Sequence, residues 1–140
     1  MLSLLHRKTT TYSVPYDNRF RFRKTLLEGA KMTVEYIKMR DALCPEELVV
    51  IGGYSKGAMV VHSMKLPKYL KPKVIAIVVF GDPLYRLSIQ WPIKTPVVNL
   101  VPSSSFDPSQ NVLSFCNKGD VICGAGWSIS AHWRHRKDNT

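Results

Sequence analysis

Two continuous apolar runs dominate the chain, Leu48-Val49-Val50-Ile51 and Val74-Ile75-Ala76-Ile77-Val78-Val79-Phe80. Neither alternates with polar residues, so each predicts a strand buried on both faces, as in a parallel sheet. Ahead of them, Leu27, Ala30, Val34 and Ile37 recur at three and four residues, which is one apolar stripe of a helix. Thr25-Leu26-Leu27-Glu28 has the form of a capping box. The helix is expected to begin as early as Asn18 and to be over by Pro45. A second helix is predicted from Ala58 to Met64, ending near Pro67. Asn111–Phe115 predicts a shorter strand and Val97–Val101 a further extended piece. The first follows a polar, proline-rich connection running from Leu84 to Gln110, and the second lies within that connection. Tyr12-Ser13-Val14-Pro15-Tyr16 is extended by composition, with Pro15 making it a poor interior strand. The alternation of buried strands with helices is an α/β pattern.

A chain of 140 residues is one domain's worth. The expected domain is 1–140, with irregular tails at 1–11 and 134–140. An apolar share of 45% excludes a disordered polymer, and no apolar run approaches the ~18 residues of a membrane span. Met1–Leu5 gives way at once to His6, Arg7 and Lys8, too early for the apolar stretch of a signal peptide. The net charge of +10 raises a polyanion hypothesis. Much of the charge lies in Arg19, Arg21, Arg23, Lys24, Lys31, Lys38 and Arg40, a solvated helix face, and in the tail Arg134, Arg136 and Lys137. No zinc-finger, helix-turn-helix or RNA-binding signature accompanies it, so nucleic acid is not an expected partner.

Gly53-Tyr54-Ser55-Lys56-Gly57 is G-x-S-x-G placed between a buried strand and a helix. A serine forced onto such a sharp turn crowds its neighbours, which accounts for glycine at the flanking positions. Its hydroxyl stands clear of the sheet at the positive end of the next helix, and the Lys56 amide points where an oxyanion would form. Serine alone is a poor nucleophile and needs a base and a group to orient that base. In hydrolases of this kind the acid and then the histidine follow the serine along the chain. His132 is the histidine placed for that. His135 sits in the basic tail, His6 precedes the serine, and His62 reads as a helix-face or core residue. Asp82, Asp107 and Asp120 are the candidate acids, and Asp120 is favoured. It lies twelve residues before His132, inside a small loop that Cys116 and Cys123 are spaced to close. Cys44 is left over, and three buried thiols are the alternative to any bridge. The cysteines are too few and too widely spaced for a zinc site, and no metal or cofactor is expected.

Gly52-Gly53-Tyr54-Ser55-Lys56-Gly57-Ala58, Val79-Phe80-Gly81-Asp82-Pro83, Phe115-Cys116-Asn117-Lys118-Gly119-Asp120 with Cys123, and Ala131-His132 together resemble the cutinase family. The likeness runs from about Tyr12 to Trp133, and Leu43-Cys44-Pro45 fits it too. The resemblance implies a secreted serine esterase with a three-layer α/β-hydrolase sandwich and a small, mostly parallel sheet. In it Ser55 is the nucleophile, His132 the base, Asp120 the acid and Cys116–Cys123 a disulfide around that acid. Lys56 stands where the family usually has Gln, so a side-chain contact is expected to be lost while the backbone role survives.

The departures are a missing first central strand, a missing second oxyanion donor, no partner for Cys44 and no helix after the histidine. The chain is therefore expected to be truncated at both ends. The Leu48–Ile51 edge is expected to stay unpaired, or else Tyr12–Tyr16 pairs there despite Pro15. The implied activity is hydrolysis of cutin-type polyesters or short- to medium-chain esters at a surface, by a monomer. Trp127, Ile129 and Trp133 flank His132 and are read as core in preference to an acyl site. An impaired homologue and a basic surface-binding module are the alternatives.

Overall fold

A computed structural model describes residues 9–19, 22–87, 90–101 and 109–134. Helix α1 spans Phe22–Leu43, strand β1 Val49–Tyr54, helix α2 Lys56–Ser63 and strand β2 Val74–Phe80. Strands β3, Val98–Asn99, and β4, Val112–Phe115, follow, and helix α3 covers Ile129–Arg134. The four strands form one parallel sheet in the order β1-β2-β4-β3. Tyr54 is opposite Phe80 and Phe80 opposite Phe115, so the C-terminal ends of the three longer strands finish level. In open parallel sheets that edge is where ligands are held.

The core explains the element order. Ile51 of β1, Ile77 and Val79 of β2 and Val112 of β4 are buried against Val60, Val61 and Met64, in and just after α2, and against α1. The α1 stripe that reaches this core is Leu26, Ala30, Val34 and Ile37. Leu27, expected in the stripe, is exposed: both leucines lie within four positions of Ala30, and α1 is rotated so that Leu26 meets the core. Thr25 does not cap α1 either. The helix starts at Phe22, which leaves Thr25 inside it and buried. Arg40, in the last turn of α1, holds Glu47 through two contacts of 2.8 Å and ties the helix to the start of β1. Lys24–Glu28 and Lys38–Glu35 pair other parts of the basic face with its own acids.

The reverse face of the sheet is thinly covered. Leu48 and Val50 of the first apolar run and Ile75 of the second are exposed, so neither run is buried throughout on both faces as expected. Among the described residues nothing pairs with β1 on its outer side. Tyr12–Tyr16 does not supply a strand there. The Tyr16 amide donates to the Val14 carbonyl at 3.0 Å, folding the segment on itself, and the Tyr12 ring stacks on Tyr36. A groove of about 430 Å³ is left between this segment and the β1 edge.

Candidate active site

The turn between β1 and α2 places Ser55. Its backbone is left-handed and strained (φ 52°, ψ −115°), held by its amide donating to the Phe80 carbonyl at 2.9 Å. Ala58 closes the turn by donating to the Ser55 carbonyl at 3.0 Å. Gly53 is required, since a Cβ there would lie 2.8 Å from the Ala58 nitrogen and the Gly57 carbonyl oxygen. Gly57 is not, because a Cβ there meets only the Tyr16 hydroxyl at 3.7 Å. The crowding expected at both glycines falls on one.

Lys56 opens α2, so its N–H belongs to the first turn of that helix. Its side chain is buried and has found new partners in place of the contact expected to be lost. The ammonium donates to the carbonyls of Asp17, at 3.1 Å, and Arg19, at 2.8 Å, beside the Tyr16 ring. The approach to α1 is thereby anchored to the residue that follows the serine.

Beyond β4 the chain wraps round Asp120. Cys116 and Cys123 are disulfide-bonded, and Cys44 is an exposed free thiol. Closing a loop of about eight residues contributes roughly 2.5 kcal/mol on the chain-entropy model. Bridged sulfurs do not ligate, so the cluster of Cys116, Cys123 and Asp120 is no metal site. Gly126 packs so closely on Gly119 that a Cβ would fall 2.0 Å from the Gly119 carbonyl oxygen. Ser128 donates its amide to that same carbonyl and caps α3 through its hydroxyl, which accepts from the Ala131 amide at 3.2 Å.

Asp120 is buried at the centre of this wrap. One carboxylate oxygen accepts from the amides of Ile122 and Cys123, and the other lies 2.9 Å from Nδ1 of His132, itself buried. Burial pushes the Asp120 carboxyl up. The Ile122 amide, the His132 ring and the Cys123 amide outweigh it, and the carboxyl sits below its ordinary range. An ionised Asp120 accepts from Nδ1–H, which leaves Nε2 of His132 as the nitrogen able to take a proton from another group.

Asp82, an alternative acid, faces a different histidine. Its Oδ2 lies 2.9 Å from Nε2 of His62, with both side chains buried. Nδ1 of His62 meets the Gln90 carbonyl at 3.3 Å, and the ring tilts against Trp91. This pair ties α2 to the loop after β2, in keeping with the structural role read for His62. Asp107, His6 and His135 lie outside the described residues. Trp127, Ile129 and Trp133 are exposed beside His132, with Trp127 at 98%, which overturns their assignment to the core. Tyr54 escaped the sequence reading. Its hydroxyl donates to the His132 carbonyl at 3.1 Å and its ring stacks on the imidazole.

The cutinase family model matches residues 3–140. The chain belongs to the cutinase family. A cutinase of Blumeria hordei is 30% identical over 81% of this chain and 42% of its own length. The carboxylesterase Culp1 of Mycobacterium tuberculosis is 28% identical over 90% of this chain and 57% of its own. Among solved structures, Trichoderma reesei cutinase in complex with a C11Y4 phosphonate inhibitor superposes with a TM-score of 0.70 at 30% identity. That match covers 98% of this chain and 57% of the other. The chain thus spans about half the length of the cutinase relatives it matches, and its fold is the α/β-hydrolase fold of the family. Among the described residues no helix is long and apolar enough to cross a membrane.

Proposed function

We propose that this cutinase-family chain is a carboxylic ester hydrolase that works through an acyl-enzyme on Ser55. Ser55 Oγ attacks the ester carbonyl as its proton passes to Nε2 of His132, and Asp120 holds the ring by Nδ1. The Lys56 amide donates to the oxyanion. The carbon–oxygen bond to the alcohol breaks, and the alcohol leaves with the proton from His132. Water then repeats the attack, loses its proton to His132 and releases the acid. The observation that carries this reading is the strained Ser55 turn, one residue from Tyr54, which contacts the histidine held by Asp120.

The proposed substrates are cutin-type polyesters or short- to medium-chain esters at a surface. Support comes from the exposed Trp127, Ile129 and Trp133, which flank His132 in the sequence and suit an apolar chain better than a charged one. The disulfide fits an oxidising compartment, and a secreted monomer is the proposed form. A catalytically impaired homologue has one observation in its favour: among the described residues no strand pairs with the outer edge of β1.

Hydrolysis of p-nitrophenyl butyrate by the 140-residue chain beside Ser55→Ala separates the readings. Turnover that disappears in Ser55→Ala supports the esterase. Equal background in both overturns it in favour of the impaired homologue, and salt-sensitive surface binding without turnover identifies a basic binding module.

A further inference from the structure

His132 is carried by α3, a helix of only six residues. So short a helix is not stable by itself, and its last four carbonyls lack partners within it. Two of those carbonyls are engaged by side chains from other elements. Asn117 Nδ2 donates to the Ala131 carbonyl at 3.0 Å, and the Tyr54 hydroxyl donates to the His132 carbonyl at 3.1 Å. Tyr54 makes a second contact that Asn117 does not. Its ring lies 5.2 Å from the imidazole of His132, centroid to centroid, with 23° between the planes. The residue that grips the histidine at backbone and ring is also the last residue of β1, covalently next to Ser55.

We propose that Tyr54 is a positioning residue for His132, fixing the height and plane of the imidazole against the nucleophile's own strand; this rests on the Ser55–His132–Asp120 reading above. A hydrogen bond at Nδ1 sets the direction of one ring nitrogen and does not by itself set the tilt of the ring plane. The Tyr54 hydroxyl fixes the backbone from which the ring hangs, and the Tyr54 face fixes its tilt. Because Tyr54 and Ser55 are adjacent, any movement of the turn carries the contact with it. The face also has an electrostatic role. When the ring takes the serine proton its positive charge develops against the negative face of an aromatic, an interaction stronger with the protonated ring than the neutral one. Tyr54 is therefore expected to act on the chemical step and to leave substrate binding alone.

Tyr54→Phe keeps the ring and removes the hydroxyl, and Tyr54→Leu removes both. Asn117→Ala loosens the same helix without touching the ring and serves as the comparator. With p-nitrophenyl butyrate, Tyr54→Phe is expected to lower kcat about threefold to tenfold and Tyr54→Leu about tenfold to fiftyfold, with KM unchanged in both. The acid limb of the kcat/KM profile should move to lower pH in Tyr54→Leu, stay in place in Asn117→Ala, and be largely restored in Tyr54→Phe. The low-field proton shared by His132 and Asp120, followed by NMR, should be sharp in wild type and Tyr54→Phe and broadened by exchange in Tyr54→Leu. Wild-type kcat in Tyr54→Leu overturns the proposal. So does a loss matched by Asn117→Ala with no movement of the acid limb. The NMR signal needs no turnover: if wild type and Ser55→Ala hydrolyse equally, the esterase reading fails, and a sharp proton in Tyr54→Leu still overturns the role given to Tyr54. Should Tyr54→Leu not fold, the isosteric Tyr54→Phe decides by kcat alone, an undiminished value overturning it.

Discussion

Oδ2 of Asp120 lies 2.9 Å from Nδ1 of His132, while Oδ1 of the same carboxylate accepts from the amides of Ile122 and Cys123. Both oxygens are engaged, so the carboxylate cannot rotate, and its direction fixes the tautomer of the imidazole. Asp120→Asn keeps the shape but can present an N–H to Nδ1, which favours the tautomer with its proton on Nε2. That ring cannot accept the Ser55 proton. The expected result is a fall in kcat of about 10³–10⁴-fold with the fold retained. Steady-state kinetics beside a thermal melt checks it, and a loss under tenfold would contradict the assigned role.

The same engagement sets an acid limit on stability. Asp120 sits below the ordinary carboxyl range because its ionised form gains the amides and the ring, and Glu47 sits low because Arg40 grips it. As pH falls, the unfolded chain takes up these protons before the folded one does. Their stabilisation is therefore complete above about pH 4 and is lost as pH falls below it through the folded values. A plot of Tm against pH should drop below about pH 4, and Asp120→Asn should flatten that drop. An unchanged slope in the variant would show that Asp120 is not the group responsible.

Much of this site was legible because the chemistry is local. The Ser55 turn and the Asp120 loop each lie within a dozen residues, and the spacing of Asp120 to His132 needs no knowledge of the sheet. The strand from Val74 to Phe80 is observed with the bounds predicted for it, since a continuous apolar run stopped by Gly81-Asp82-Pro83 marks its own ends. What stayed hidden depends on partners far along the chain. Tyr54 touches a carbonyl 78 positions away, and the Lys56 ammonium finds carbonyls 39 and 37 positions earlier. Val50 and Trp127 misled for one reason: an apolar side chain says what it prefers to meet and not whether a layer exists to meet it. Leu26 and Leu27 are adjacent leucines, and only the rotation of α1 on the core chooses between them.

The buried pair of His62 and Asp82 gives a stability prediction separate from the esterase reading. Asp82 is 1% exposed, with the imidazole on one oxygen and the Leu84 amide on the other. His62→Leu leaves a buried carboxylate without its main partner, at an expected cost of about 3–5 kcal/mol. Adding Asp82→Asn removes the stranded charge, so the double variant should be more stable than His62→Leu alone. Urea denaturation of wild type, both single variants and the double variant measures the coupling. Strict additivity would mean that the two side chains do not act as a pair.

The two glycines of the G-x-S-x-G turn are expected to part company. A Cβ on Gly53 would lie under 3 Å from three backbone atoms of Gly57 and Ala58. Backbone cannot step aside as a side chain can, so Gly53→Ala must open the turn and release the left-handed φ of Ser55. The expected cost is about 1–3 kcal/mol, with hydrolysis abolished because the hydroxyl is no longer aimed. Gly57 occupies an ordinary helical position in the first turn of α2, and its added methyl meets one hydroxyl at contact distance. Alanine there gains helix propensity and loses unfolded-state entropy, so Gly57→Ala should fall within about 1 kcal/mol of wild type on the stabilising side. It should also retain most of the esterase rate, since neither Ser55 nor the Lys56 amide moves. Urea denaturation with p-nitrophenyl butyrate kinetics on both variants tests the contrast. Equal damage from the two alanines would mean that the space beside Gly57 is needed for something other than the turn, with the bound ester the first candidate.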